Sequence, residues 1–270
     1  MPLARGTKHE RAVRRLRAAS AAAIVRRARK VLGAVVHPTR RSQSPCTETP
    51  ADATRIEVAI EETLEGAPLA FARGARRTAL LPENVVVDFE RRRAQSVVLC
   101  LDTSLSMQGE KLALMGVAVA VVLLQFPDDP VAVVGFDDAA HVLKRADERI
   151  PVDALIERLL DVPGRPYTNL EAGLARALEM AQRATRGSRG RPVSTVLVTD
   201  GKYTAGADPA PLAKRFAHLT VLKVGLDRAG LPLCRELAHR GHGSVREARR
   251  LEVVPLAMYG AVQEILRGRA

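Results

Sequence analysis

The sequence contains no tryptophan, and phenylalanine and tyrosine together make up only 3% of its 270 residues. Stacking platforms for single-stranded nucleic acid are therefore poorly supplied. A core must instead be assembled from Val, Leu, Ile and Ala. Cysteine is also scarce. Cys46, Cys100 and Cys234 are widely spaced and odd in number, and no Cys-x-x-Cys pair exists. This argues against a disulfide framework and fits a reducing cytosol. Cys100 lies within an apolar run and reads as a small core residue. Long apolar runs are missing as well. The longest uncharged apolar stretch, Leu112 to Leu124, falls short of the roughly 20 residues that cross a bilayer, and reads as a buried helix. Ala21 to Val25 is too brief for a signal-peptide core and runs into Arg26 and Arg27. The expectation is a soluble, cytoplasmic protein with no integral membrane segment.

What is present is a strong basic excess, +12 overall, and it is localised. Residues 1–45 carry twelve Lys or Arg against a single acid, Glu10, whereas the remainder is almost neutral. Arguments about polyanionic partners therefore concern the N-terminal arm alone. At 47% hydrophobic and 27% charged residues, the rest can fill a sizeable core.

Three regions follow from the pattern. Residues 1–45 form a basic arm, helical or partly disordered. Its Ala- and Arg-rich segment 8–36 favours helix, with Val13, Leu16, Ile24, Val31 and Val35 as a loose apolar stripe. Residues 46–94 are a linker and lead-in, the linker character beginning at His37 and ending at Pro50. Short candidate strands, Arg55–Ile60 and Asn84–Phe89, flank a Gly- and Arg-rich patch at 73–77. Residues 95–268 hold the main domain. Val97–Leu101, Val131–Phe136, Thr195–Val198 and Leu219–Val224 are apolar throughout, and His141–Lys144 suits a short hairpin arm. Helical segments alternate with them: Gly109–Gln125, Asp153–Leu160, Asn169–Ala184, Leu231–Arg240 and Val253–Leu266. Wholly apolar strands alternating with helices predict an α/β fold, a doubly wound, mostly parallel sheet with helices on both faces.

In such folds the functional crevice lies beyond the carboxyl ends of the strands. Asp102-Thr103-Ser104-Leu105-Ser106 follows the first run and Thr199-Asp200-Gly201 the third. Alternating Asp-x-Ser-x-Ser can aim three oxygens at one centre, and a carboxylate from a neighbouring strand can join them. Mg²⁺ favours oxygen ligands in an octahedron and retains several waters. A site rich in neutral hydroxyls leaves such an ion electrophilic toward an outside carboxylate.

Asp102-x-Ser104-x-Ser106 resembles the metal-ion-dependent adhesion site of von Willebrand factor type A domains. That resemblance implies a Thr from a later loop, matched by Thr168 in Pro166-Tyr167-Thr168-Asn169-Leu170-Glu171-Ala172-Gly173-Leu174. It also implies an Asp within Thr-Asp-Gly, matched by Asp200. Phe136-Asp137 is similar to the family's Phe-Ser or Phe-Asp. The family usually has Gly between the two serines, where this chain has Leu105, a bulkier residue able to alter the loop or fill a surface contact. The implied ligands of Mg²⁺ (or Mn²⁺ or Ca²⁺) are Asp102, Ser104, Ser106, Thr168 and Asp200. Ile56–Leu64, the basic stretch through Arg77, Val85–Phe89 and Arg91–Arg93 resemble bacterial CoxE-like proteins. That implies a MoxR-type AAA+ ATPase as the partner donating an acidic residue to the metal.

Blander readings of the same residues stand beside these. Asp102, Ser104 and Ser106 could cap the following helix, and Thr168 could cap the helix after it. Cys234, His239 and His242 lack a fourth ligand at any standard zinc spacing and read as unrelated to metal. Asp128-Asp129 and Asp137-Asp138 read as loop and turn residues. The arm could be a solvated extension, a contact for nucleic-acid phosphates, or a docking element for an acidic partner or membrane surface. A Mg²⁺-dependent phosphohydrolase is the enzymatic alternative. The chain, however, has no Asp-x-Asp after the first strand, no G-x4-G-K-[ST] loop and no G-x-S-x-G elbow. The expectation is a non-enzymatic, cation-dependent binding module.

Overall fold

The computed structural model describes residues 3–31, 39–51, 53–66, 82–92, 96–127, 129–187 and 193–266. The Gly- and Arg-rich patch at 73–77, Arg77, Arg93, Val35, His37 and Asp128 lie outside them. The chain forms two compact units, one of residues 36–94 and one combining residues 1–35 with 95–270.

The smaller unit holds a three-stranded antiparallel sheet of β1 (Thr39–Pro45), β2 (Ala53–Val58) and β3 (Val86–Arg92), in the order β1-β3-β2. Residues 39–45 are thus a strand rather than part of a linker. Their composition is polar, and it is pairing with all of β3, Thr39 opposite Arg92 through Pro45 opposite Val86, that makes them one. β2 ends before Ile60, where helix α2 (Ile60–Gly66) begins. Thr63 ties that helix to β3: its hydroxyl accepts from the Val86 amide at 3.0 Å.

The larger unit is built on a six-stranded sheet of β4 (Val97–Asp102), β5 (Val131–Phe136), β6 (Ala140–Lys144), β7 (Ser194–Thr199), β8 (His218–Val224) and β9 (Val245–Ala248). The spatial order is β6-β5-β4-β7-β8-β9, and all neighbours are parallel except the β5–β6 hairpin. This is the predicted α/β architecture. β9 was not legible in the sequence, because Val-Arg-Glu-Ala is a short edge strand without an apolar run.

Successive residues along the strands feed opposite faces. Val97, Leu99, Leu101, Val131, Val133, Val196 and Val198 join one core, with helices α3 (Glu110–Gln125), α4 (Val152–Asp161) and α8 (Val254–Leu266). Val98, Cys100, Val134, Phe136 and Leu197 join the other, beneath α5 (Leu170–Gly187), the single turn α6 (Ala210–Ala213) and α7 (Leu231–Arg240). α3 is apolar over most of its surface because most of it is covered, by the Val97, Leu99 and Leu101 face of the sheet and by α1, α4 and α8.

The basic arm supplies one of those covers. α1 (Leu3–Val31) packs on α3 and α4, burying Ala21, Ile24 and Ala28. Ile24 sits over Gly116, within reach of ordinary van der Waals contact. Arg17 pairs with Asp161 on α4. Of the apolar stripe expected from sequence, Ile24 is buried while Leu16 faces solvent; the actual seam is alanine-rich. Arg11, Arg14, Arg15, Arg26, Arg27, Arg29 and Lys30 remain exposed. Among the described residues, no helix is long and apolar enough to cross a membrane.

Candidate metal centre

The register of the parallel strands builds the site. Leu101 pairs with Val198 and Asp102 with Phe136, so Asp102 stands level with Thr199 at the carboxyl edge. Asp102 is fully buried there. Its Oδ2 accepts from the Thr199 hydroxyl at 2.9 Å. Its Oδ1 accepts from both the amide and the hydroxyl of Ser104, at 3.1 and 2.6 Å. The Ser104 and Ser106 hydroxyl oxygens lie 3.2 Å apart. Ser106 in turn donates to Asp200 Oδ2 at 3.2 Å. Asp102, Ser104, Ser106 and Asp200 thus form one continuous chain of polar contacts across two strand ends.

These contacts decide against capping. α3 starts at Glu110 behind Gly109, with no side-chain cap, and the single 3₁₀ turn Leu105–Met107 has none from Ser104. The polar side chains of the 102–106 loop bond to one another instead. Thr168 does not cap α5 either. Asn169 does, its Oδ1 accepting from the Ala172 amide at 3.0 Å.

Thr168 is buried in an adjoining loop. Its amide donates to the Thr204 hydroxyl at 3.0 Å, and its carbonyl accepts from the amides of Thr204 and Ala205 at 3.0 and 3.2 Å. The Leu105 amide donates to the Arg165 carbonyl at 2.8 Å, and the Asn169 amide to the Asp137 carbonyl at 2.6 Å. The loops after β4, β5 and β7 and the loop before α5 are therefore bonded into one edge. Thr168 is joined to the others through backbone, with no hydrogen bond between its hydroxyl and their side chains.

Three residues that sequence reasoning had not assigned roles complete the frame. Thr199 holds the buried carboxylate of Asp102 and accepts from the Gly201 amide at 3.1 Å. Thr103 donates to the Phe136 carbonyl at 3.0 Å, locking the loop to β5. Thr204 secures Thr168 and had no signal in the sequence. Gly201 is required by its backbone. Its φ is +83°, and a Cβ there would run into the Gly230 carbonyl and the Cys234 sulfur.

Electrostatics make Asp102 unusual. Burial raises its carboxyl from 3.8 to about 6, against the opposing effect of its hydrogen bonds from Ser104 and Thr199; the Asp200 charge adds to the rise. Cys234, beneath the site, is pushed up to about 12 by burial and is an inert thiol. His239 and His242 are exposed while Cys234 is fully buried, and among the described residues no three His, Cys, Asp or Glu group as metal ligands. Asp137 forms the expected turn, its Oδ1 accepting from the Ala139 amide at 3.0 Å.

The donor set fits a hard divalent ion. A buried carboxylate that is costly to ionise gains from a nearby cation, and the hydroxyls of Ser104 and Ser106 supply neutral oxygens beside it. Two carboxylates among mostly neutral donors leave a divalent ion's charge only just balanced.

Residues 97–202 match the family model of the von Willebrand factor type A domain. Over those residues the chain is similar to von Willebrand factor type A domains. Solved structures agree on the fold. A von Willebrand factor type A protein from Catenulispora acidiphila has a TM-score of 0.50 at 20% identity, over 67% of this chain and 44% of that one. The conserved hypothetical protein BatB from Bacteroides thetaiotaomicron gives 0.50 at 18% identity, over 66% of this chain and all of that one. Proximal thread matrix protein 1 from the mussel byssus, with a zinc-occupied MIDAS motif, gives 0.51 at 17% identity, over 64% and 48%. This chain thus spans under half the length of two of these three. A search of curated proteins returns no match.

Proposed function

We propose that this chain holds a von Willebrand factor type A domain serving as a cation-dependent protein-binding module, not an enzyme, acting in the cytoplasm. In this reading Mg²⁺, or Mn²⁺ or Ca²⁺, is held by Asp102, Ser104, Ser106, Thr168 and Asp200. The single observation that carries it is the polar chain from Thr199 through Asp102, Ser104 and Ser106 to Asp200, which caps no helix and converges at the strand ends. When bound, the cation supplies a Lewis-acidic position for a carboxylate from outside. Asp102 and Asp200 bring the charge that attracts it. Ser104 and Ser106 would offer it oxygen lone pairs while their hydrogens point to those carboxylates, and Thr199 keeps Asp102 in place. The mussel protein's metal-occupied motif is a precedent on a similar fold.

The partner proposed is a MoxR-type AAA+ ATPase that contributes an acidic residue. Support for this is the resemblance of residues 56–93 to CoxE-like proteins. A pull-down with the ATPase in Mg²⁺ and in EDTA, using wild type and Asp102→Ala, tests both parts. Retention in Mg²⁺ only, lost in the variant, is expected. Retention that ignores EDTA refutes cation dependence.

A second reading concerns α1, whose exposed Arg and Lys side chains form a fixed basic surface once its apolar seam is packed. Such a surface suits nucleic-acid phosphates. Weak binding of duplex DNA with a steep salt dependence, abolished when Arg11, Arg14, Arg15, Arg26, Arg27, Arg29 and Lys30 are changed to Gln, is the expected outcome.

A further inference from the structure

Each of four loops at the carboxyl edge of the sheet exposes one large apolar side chain. Leu105 lies between the two site serines and is 58% exposed. Tyr167 adjoins Thr168 at 57%. Tyr203 adjoins Thr204, which is hydrogen-bonded to Thr168, and is 41% exposed. Leu226 follows β8 at 77%. Its loop is held to the Asp200 loop by the ion pair of Lys202 with Asp227. One exposed leucine on a surface needs no account. A collar drawn from four loops around one polar centre does, because clustered apolar exposure marks an interaction surface. Two of the chain's three tyrosines stand in it, and tyrosine is a residue type that interfaces favour.

Charge tells what the collar receives. Lys111 donates to the Ser106 carbonyl at 2.9 Å from the first turn of α3, and Lys202 stands beside Asp200. With a divalent cation balancing Asp102 and Asp200, and Asp227 pairing Lys202, Lys111 adds positive charge beside the two serines. An incoming segment that is both acidic and apolar satisfies the surface, whereas a purely acidic one leaves the collar in water. Leu105 is adjacent in sequence to Ser104 and Ser106, so residues one or two places from the incoming acid reach it in an extended strand.

Resting on the proposed function above, we infer that the partner's acidic residue is flanked by large apolar side chains, and that Leu105, Tyr167, Tyr203 and Leu226 select for them. The test uses three capped peptides, Ser-Leu-Asp-Leu-Ser, Ser-Gly-Asp-Gly-Ser and Ser-Leu-Asn-Leu-Ser, titrated into the full chain in Mg²⁺ by calorimetry. The leucine-flanked aspartate peptide should bind about tenfold or more tightly than the glycine-flanked one, since one buried leucine suffices for that factor. The asparagine peptide should not bind. In a Tyr203→Ser, Leu226→Ser double variant, which leaves the 102–106 loop untouched, the preference should fall several-fold, while the variant's Mg²⁺ affinity and melting temperature stay at wild-type values. Equal binding of the two aspartate peptides, or no peptide binding by a protein that does bind Mg²⁺, overturns the inference and leaves the metal site standing. Absence of Mg²⁺ binding by the wild type sinks the metal reading itself, and the collar's role with it.

Discussion

Replacing Asp102 by Asn separates the role of its charge from that of its shape. The wild-type carboxyl is buried, and its rise from 3.8 to about 6 corresponds to about 3 kcal/mol against the folded state at neutral pH. An asparagine keeps the acceptor that bonds Ser104 and turns an amide toward the Thr199 oxygen, which has a lone pair beyond the one taken by Gly201. Weaker hydrogen bonds to a neutral acceptor offset part of the gain. Without metal, Asp102→Asn should therefore be more stable than wild type at pH 7 by about 1–3 kcal/mol, a rise of roughly 3–10 °C in melting temperature. The folded state holds its proton more tightly than the unfolded chain. Stability from this group thus increases as pH falls through 6, and the advantage of Asn should shrink and vanish near pH 4.

Thermal and denaturant unfolding in EDTA at pH 7 and at pH 4.5 read this directly. A parallel series in Mg²⁺ completes it. Wild type should gain about 2.7 kcal/mol at a hundredfold excess over its dissociation constant, and the variant nothing. If Asp102→Asn is less stable than wild type in EDTA at pH 7, the carboxylate is not carrying a burial cost. If the variant still gains stability from Mg²⁺, it is not the site's principal anion.

Other outcomes follow from the same contacts. Mg²⁺ affinity, followed by calorimetry from pH 7.5 to 5, should be flat above about 6.5 and fall about tenfold per pH unit below 6, as protonated Asp102 must lose its proton to bind. Thr199→Val removes the donor to Asp102 Oδ2 and should weaken Mg²⁺ binding several-fold while costing about 1–3 kcal/mol in unfolding free energy. Gly173→Ala puts a Cβ into the Phe136 ring and should cost about 1–3 kcal/mol, with Mg²⁺ affinity the control that stays unchanged. Ile24→Ala opens the seam between α1 and α3 and should lower the unfolding free energy by about 2–4 kcal/mol; an unchanged melting temperature would show α1 detached from the domain in solution.

The parts of this fold that a sequence reveals are those whose causes are local. Val131–Phe136 is buried on both faces, so it is apolar at every position, and its ends are visible to the residue. β1 and β9 owe their structure to a partner strand, and nothing in Thr-Arg-Arg-Ser-Gln-Ser-Pro or Val-Arg-Glu-Ala announces it. The site divides in the same way. Asp102 and Asp200 are legible because an acid directly after an apolar strand stands out. Thr204 as the anchor of Thr168 depends on a contact between residues 36 apart, whereas the cap of α5 is local, Asn169 bonding the Ala172 amide one position beyond the Thr168 that the sequence also offered for it. The seam of α1 was misplaced for a further reason. Alanines at 21 and 28 carry little hydrophobic signal, yet small side chains are what close packing against α3 requires.

That seam bears on how the basic excess is read. A detached polybasic arm binds any polyanion by wrapping it, with affinity set by charge count alone. A helix held along one face cannot wrap. It offers its arginines at fixed spacing, about 1.5 Å of rise per residue, and loses the part of the charge that Arg17 commits to Asp161. The two cases separate experimentally without reference to any particular partner. Asp161→Asn should leave binding of short DNA duplexes almost unchanged if the arm is free, whereas Ile24→Asp, which unseats the helix, should alter both the affinity and the duplex length it prefers. If unseating α1 changes neither, the packed helix has no part in recognition, and its arginines serve the surface of the domain only as solvated charge.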